Sequence, residues 1–128
     1  MAYVVKAELA PDAAAGPMRF REKTMYRGKD IRPGDEVFVF ASENQGGAGL
    51  CAKGLVTSVE HGPGIRITIE VRPLAAVRQG LGRRELKPFC DLTDGRPQAE
   101  IARKLYRQAT NKIAGVSDEA AGFLESHF

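Results

Sequence analysis

Before residue 91 the apolar positions of this chain fall into short runs and strict alternations, and only afterwards do they recur at helical spacing. The clearest alternation, Ile65-Arg66-Ile67-Thr68-Ile69-Glu70-Val71, predicts a strand with Ile65, Ile67, Ile69 and Val71 inward and Arg66, Thr68 and Glu70 outward. In Val37-Phe38-Val39-Phe40 both alternate sets are apolar, so Glu36 to Ser42 reads as a strand covered on both faces. Pro33-Gly34 supplies the turn ahead of it, proline presetting φ and glycine permitting a positive one. Tyr3 to Leu9 is rich in strand formers and ends at Ala10-Pro11. Leu50 to Val59 reads as a strand bent at Gly54, followed by the turn His61-Gly62-Pro63-Gly64.

Other segments carry weaker patterns. Asp12 to Pro17 is small and flexible, and Met18 to Arg32, where Phe20, Met25 and Tyr26 are scattered among charges, reads as loop with short ordered pieces. Leu74 to Leu81 suggests a short helical turn, and Pro88 limits Glu85 to Cys90 to a short edge strand at most. Asp94-Gly95-Arg96-Pro97 is a helix-start signal, and Ile101, Leu105 and Ala109 recur four apart, predicting a helix from about Pro97 to Thr110. Ser117 is a good N-cap for a second helix, with Asp118 and Glu119 in its first turn and Ala120, Phe123, Leu124 and Phe128 as its apolar face. Strands first and helices afterwards predict an α+β fold: a small mixed β-barrel of about five strands with flanking C-terminal helices. One domain spans residues 1–128, with Val37, Val39, Ile67, Ile69, Leu105 and Leu124 in one core.

A chain of 128 residues, 43% apolar and 27% charged, can bury a core without disulfides or metals. No apolar run is long enough to cross a bilayer and no secretory signal stands at the N-terminus, so the expectation is a cytoplasmic protein without a membrane partner. Cys51 and Cys90 lie far apart and outside any C-x-x-C pattern, which predicts buried free thiols and no metal site. G-x-S-x-G, H-E-x-x-H and P-loop motifs are absent, and no cofactor is implied. His61, in a glycine-proline turn, and His127, beside the C-terminus, are expected at the surface. Gly46-Gly47-Ala48-Gly49 precedes a strand instead of opening a helix, which favours hairpin flexibility over a phosphate cradle. These readings favour a binding module over an enzyme.

Charge placement sharpens that picture. Six cations against two acids give Met18 to Arg32 a net +4, whereas the whole chain carries +3. Arg19, Arg21, Lys23, Arg27 and Lys29 could pair with phosphates while Tyr26, or less readily Phe20, stacks on a base. Ser42, Glu43 and Asn44, closing the apolar strand, could reach a base edge through hydroxyl, carboxylate and amide. The plain alternatives are a solvated charged edge and ordinary turn chemistry.

The stretch Ile31-Arg32-Pro33-Gly34-Asp35-Glu36-Val37-Phe38-Val39-Phe40, followed by a glycine loop and the strand Gly49 to Val59, resembles the PUA-like superfamily, and within it the EVE domains. Asn111-Lys112-Ile113 before the last helix is similar as well. The resemblance implies a small barrel that binds RNA or a modified base in DNA, often in a pocket with an aromatic wall. Many EVE domains carry an early tryptophan and this chain has none, so Tyr3, Phe20 or Tyr26 would supply that wall. Lys23-Thr24-Met25-Tyr26-Arg27 is similar to the ASCH motif of lysine, threonine, any residue, glutamate, any residue, arginine, with Tyr26 in place of the acid. Some ASCH-like proteins are small amidohydrolases acting on modified nucleosides, which makes Lys23 and Thr24 the alternative catalytic residues. The expected ligand-binding set is Arg19, Arg21, Lys23, Thr24, Tyr26, Arg27, Ser42 and Asn44. A third reading is a protein-interaction module using Arg103, Lys104 and Arg107 on a helix face. RNA against DNA, and the oligomeric state, stay open at this level.

Overall fold

The computed structural model describes residues 2–10, 16–108 and 110–128. Its organising strand is β3 (Glu36–Ala41), launched by a turn that the Asp35 carboxylate closes by accepting from the Arg32 backbone N–H at 2.8 Å. Gly34 takes φ of 96°, and its N–H donates to Val56 O at 2.8 Å, tying the turn to the following strand. That strand, β4 (Gly49–His61), runs antiparallel to β3, while β1 (Ala2–Ala7) lies parallel on the other side with Val5 opposite Val39. Next comes β5 (Arg66–Ala76), antiparallel to β4, with register shifts at Lys53/Gly54 and Val56/Ser58. A Cβ on Gly54 would meet Arg72 O at 2.7 Å, so the sheet bends where only glycine fits. Then β2 (Met18–Met25) pairs antiparallel with β5, and β6 (Lys112–Val116) joins β2 and β1 to close a six-stranded barrel in the order β1-β3-β4-β5-β2-β6.

Alternation assigns the two faces of this sheet to two apolar clusters. Tyr3, Val5, Phe20, Val37, Val39, Ile67, Ile69 and Ile113 fill the barrel. Val4, Phe38, Phe40, Ala114 and Val116 point the other way and are covered by helices. These are α1 (Arg83–Leu86), α2 (Pro97–Tyr106) and α3 (Asp118–Glu125), which contribute Leu86, Ile101, Leu105 and Leu124. Pro97 occupies the first turn of α2, and the Ser117 hydroxyl accepts from Ala120 N at 3.1 Å to cap α3. Among the described residues no helix is long and apolar enough to cross a membrane.

The α+β barrel with C-terminal helices is as the pattern predicts, and β3 is covered on both faces. Six strands form it, close to the expected number of about five, whereas the single expected core is two, because both faces of the sheet are buried and Leu105 and Leu124 sit on the opposite side from Val37 and Ile69. Met18 to Met25 is a strand and no loop: Met18 and Phe20 point into the barrel and Arg19 and Arg21 out of it, a period of two that the charges disguise. Leu74 to Ala76 completes β5 instead of starting a helical turn, and Val77 N carries the pairing on to Cys51 O at 3.0 Å. Glu85 to Phe89 is helical and Cys90 a turn, with no edge strand, since the Glu85 carboxylate folds back to accept from Gly82 N at 2.8 Å and opens α1. Ile65 is 66% exposed at the β4–β5 tip, its carbonyl accepting from Thr24 N at 3.0 Å. α2 stops at Tyr106, short of Thr110, because the chain must re-enter the barrel as β6; Ala109 and residues 11–15, on which other expectations rest, lie outside the described residues. His127 is buried, its carbonyl accepting from Arg78 N and Gln79 N.

Candidate functional site

A cleft of about 750 Å3 lies where β3 ends and β4 begins, bounded by Glu43, Ala48, Gly82, Arg83, Arg84, Glu85, Lys87 and Pro88. Its size is within the usual range for small-ligand sites. β3 gives way to a helical turn, Glu43–Gln45, that turns the Glu43 carboxylate toward the start of α1. There Glu43 Oε2 accepts from the Arg83 backbone N–H at 2.6 Å, and the Tyr106 hydroxyl at the end of α2 lies 3.1 Å from both carboxylate oxygens. Two bare Cα atoms make room for this: a Cβ on Gly82 would come within 2.7 Å of Glu43 Oε2, and one on Gly49 within 2.5 Å of Leu81 O. Gly47, whose Cβ would meet Ala41, and Gly49 therefore serve close packing, while Gly46, with φ of 87°, serves the turn. Asn44 accepts from Arg83 Nη2 at 2.7 Å, steadying that guanidinium on the rim, while Arg84 and Lys87 are exposed.

Ser42 is only 2% exposed and belongs to the turn itself, its carbonyl accepting from Gln45 N and Gly47 N. The basic residues lie elsewhere. Arg19 and Arg21 project from the outer wall of β2, three strands around the barrel from β3, with Arg19 3.8 Å from Glu70 on β5. Thr24, Tyr26 and Arg27 share a smaller hollow of about 220 Å3 with Met25, Gly28 and Lys29. Tyr26 and Arg27 both take positive φ, 51° and 66°, a reversal made tight by Gly28, which lies flush against the Ile113 carbonyl. Tyr26 is 46% exposed with Lys104 Nζ 5.4 Å from its ring centre, and Arg27 pairs with Asp30 at 2.9 Å. The Thr24 hydroxyl is turned to Ile65 O at 3.3 Å, and half-buried Lys23 precedes it on β2. The eight expected ligand residues are thus divided among the β2 wall, the Tyr26 corner and the end of β3.

No protein-family model matches the sequence, and no curated protein is similar to it. Solved structures do match the fold. The DUF55 domain of human thymocyte nuclear protein 1 superposes with a TM-score of 0.67 over 98% of this chain and 97% of that one, at 12% identity. The DUF55 domain is the EVE domain of the sequence resemblance, and its barrel is PUA-like. The chain has the DUF55 (EVE) fold. Human THYN1 solved in complex with 5-methylcytosine containing DNA gives the same TM-score over 97% and 95% of the two chains. A Pseudomonas putida protein follows at 0.64 over 98% of both, with 14% identity.

Within this barrel the cleft has a buried foundation that neither charge nor motif signals. Lys6 on β1 and Lys112 on β6 stand opposite each other in register, both under the C-terminal end of α2. Lys6 Nζ donates to Leu105 O at 3.0 Å and lies 4.5 Å from the Tyr106 ring centre; Lys112 Nζ donates to Lys104 O at 2.7 Å and Gln108 O at 3.4 Å. The carbonyls left unpaired at a helix end are natural acceptors for ammonium groups. Burial, opposed by the Glu43 charge, lowers the pKa of Lys6, while burial and then the charges of Lys6 and Lys23 lower that of Lys112 to about 8. Tyr106 is held far above its usual value by burial and then by the Glu43 charge, so its hydroxyl remains a donor. Tyr106, Lys6 and Arg83 are missing from the sequence-derived set. Glu43 was legible only as one of three polar residues ending a strand.

Proposed function

We propose that this protein is a nucleic-acid-binding module whose cleft receives a modified base in DNA. The observation carrying this reading is the whole-chain match to a domain that has been solved with 5-methylcytosine containing DNA. At 12% identity the likeness is one of fold, so the residues must be argued from this chain. The cleft joins a carboxylate able to accept from a base edge with three cations, Arg83, Arg84 and Lys87, able to meet the phosphates on either side. The Tyr26 ring and Arg27, at a separate corner of the barrel, serve as a second contact to the same strand, by stacking and by charge. Phosphate contact by Arg19 and Arg21 is secondary, because Glu70 stands beside Arg19 on the wall they share.

The test is fluorescence anisotropy of labelled oligonucleotides with and without 5-methylcytosine, repeated over a range of salt. Affinity should fall steeply with salt, and Arg84→Ala and Lys87→Ala should each lower the logarithmic slope by roughly one. Tyr26→Ala should cost roughly 1–3 kcal/mol with the slope unchanged. Absence of binding to every oligonucleotide, modified or not, would dispose of the proposal.

A further inference from the structure

The hydrogen bonds around Glu43 limit what the cleft can read. A carboxylate offers about four acceptor positions. On Oε2 one is taken by the Arg83 N–H at 2.6 Å. The Tyr106 hydroxyl has a single proton, so its two 3.1 Å distances describe one bond shared by both oxygens. Oε2 is thereby filled and Oε1 keeps one acceptor position. The surroundings hold the carboxylate in this arrangement. A Cβ on Gly82 would come within 2.7 Å of Oε2 and one on Gly49 within 3.2 Å, and Tyr106 is fixed from behind by fully buried Lys6, itself anchored on the Leu105 carbonyl.

We infer that Glu43 is the specificity-determining residue of the cleft and that it selects a base offering one exocyclic amino N–H, with Tyr106 as its positioning residue. The inference rests on the base-binding reading above and narrows it to cytosine-type and adenine-type edges. Thymine and uracil present their only edge donor between two carbonyl oxygens, and each of those oxygens would face the carboxylate. Guanine presents two adjacent donors where one acceptor remains. A cytosine or adenine amino group supplies one proton to the one vacant position, and no proton is transferred.

5-Methylcytosine and thymine form the most economical probe pair, since they share ring and methyl group and differ in the amino or oxo group at one carbon and the ring proton beside it. Two single-stranded oligonucleotides identical except for that central base are titrated into the parent protein, Glu43→Gln and Tyr106→Phe. The parent should bind the 5-methylcytosine strand roughly ten-fold more tightly, the cost of one unmade hydrogen bond at a desolvated edge. Glu43→Gln, whose amide can present donor or acceptor, should bring the ratio to within about three-fold. Tyr106→Phe should reduce the ratio while leaving the affinity for the thymine strand unchanged, which a purely structural role for the hydroxyl would not do. Tight parental binding of both strands with a ratio near one, or a ratio preserved in Glu43→Gln, overturns the inference and leaves nucleic-acid binding standing. Failure to bind either strand removes the base-binding reading and the inference with it.

Discussion

Lys112 offers a quantitative test of how the helix layer is joined to the barrel. Its side chain is 1% exposed and sits across from Lys6, so removing its proton relieves both desolvation and like-charge repulsion. The folded pKa of about 8 lies below the usual 10.5 of an exposed lysine. Between those values the unfolded chain holds a proton that the native chain has released, so stability rises with pH across that window and is flat below it. A group with these two pKa values adds about 2 kcal/mol to unfolding free energy between about pH 7 and about pH 9.5. The upper limit stays below the range where unfolded tyrosines ionise, since Tyr106, raised in the fold, would act in the opposite direction. Lys112→Met keeps most of the stem's packing and abolishes the titration. Urea unfolding of parent and variant at several pH values should show the parent gaining about 2 kcal/mol more than the variant over this interval. Equal gains in the two proteins would refute the argument. They would mean that the carbonyls of Lys104 and Gln108, at the negative end of α2, hold the ammonium charged in spite of its burial.

Further outcomes can be checked by the same unfolding measurements. Ile67→Ala should cost roughly 2–5 kcal/mol because the side chain fills the barrel interior; a loss within error would place it at the surface. Gly28→Ala should destabilise by about 1–3 kcal/mol through collision with the Ile113 carbonyl, whereas Gly122→Ala, in α3 with open space around it, should stabilise by about 0.5–1 kcal/mol. Ser117→Ala should cost about 1–2 kcal/mol, since the hydroxyl caps α3 and also donates to Glu100. Glu100 has a lowered pKa because bonds from Ser117 and Lys104 outweigh its burial, so part of parental stability should vanish as pH falls through the acid range, and less of it in Ser117→Ala.

The parts of the fold legible in the sequence are those whose pattern is local. β3 and β5 announce themselves because a single strand's alternation, or the lack of it, reports directly how many faces are buried. β6 does not, since Lys112-Ile113-Ala114-Gly115-Val116 has weak intrinsic strand preference and is held by pairing with both β1 and β2. β2 was concealed by its outward arginines, which made a strand look like a charged loop. The site was less readable still. Lys6 and Lys112 become neighbours only through the β1–β6 register, and Tyr106 reaches Glu43 only because α2 ends above them. Lys104 and Tyr106, about 200° apart on the helix, turn to different places, one to the Tyr26 corner and the other to the cleft. What the sequence did show was the strand end carrying Glu43 and an aromatic, cationic corner at Tyr26, without the geometry that separates them.

The central claim, that a modified base is received at the end of β3, is tested most directly by residue-resolved NMR during titration with a 5-methylcytosine oligonucleotide. Amide shifts should change first and most along Glu43–Gly49 and Leu81–Lys87, with a second, smaller set at Tyr26–Lys29. Shifts confined to Arg19, Arg21 and their β5 neighbours, with the cleft silent, would contradict the account.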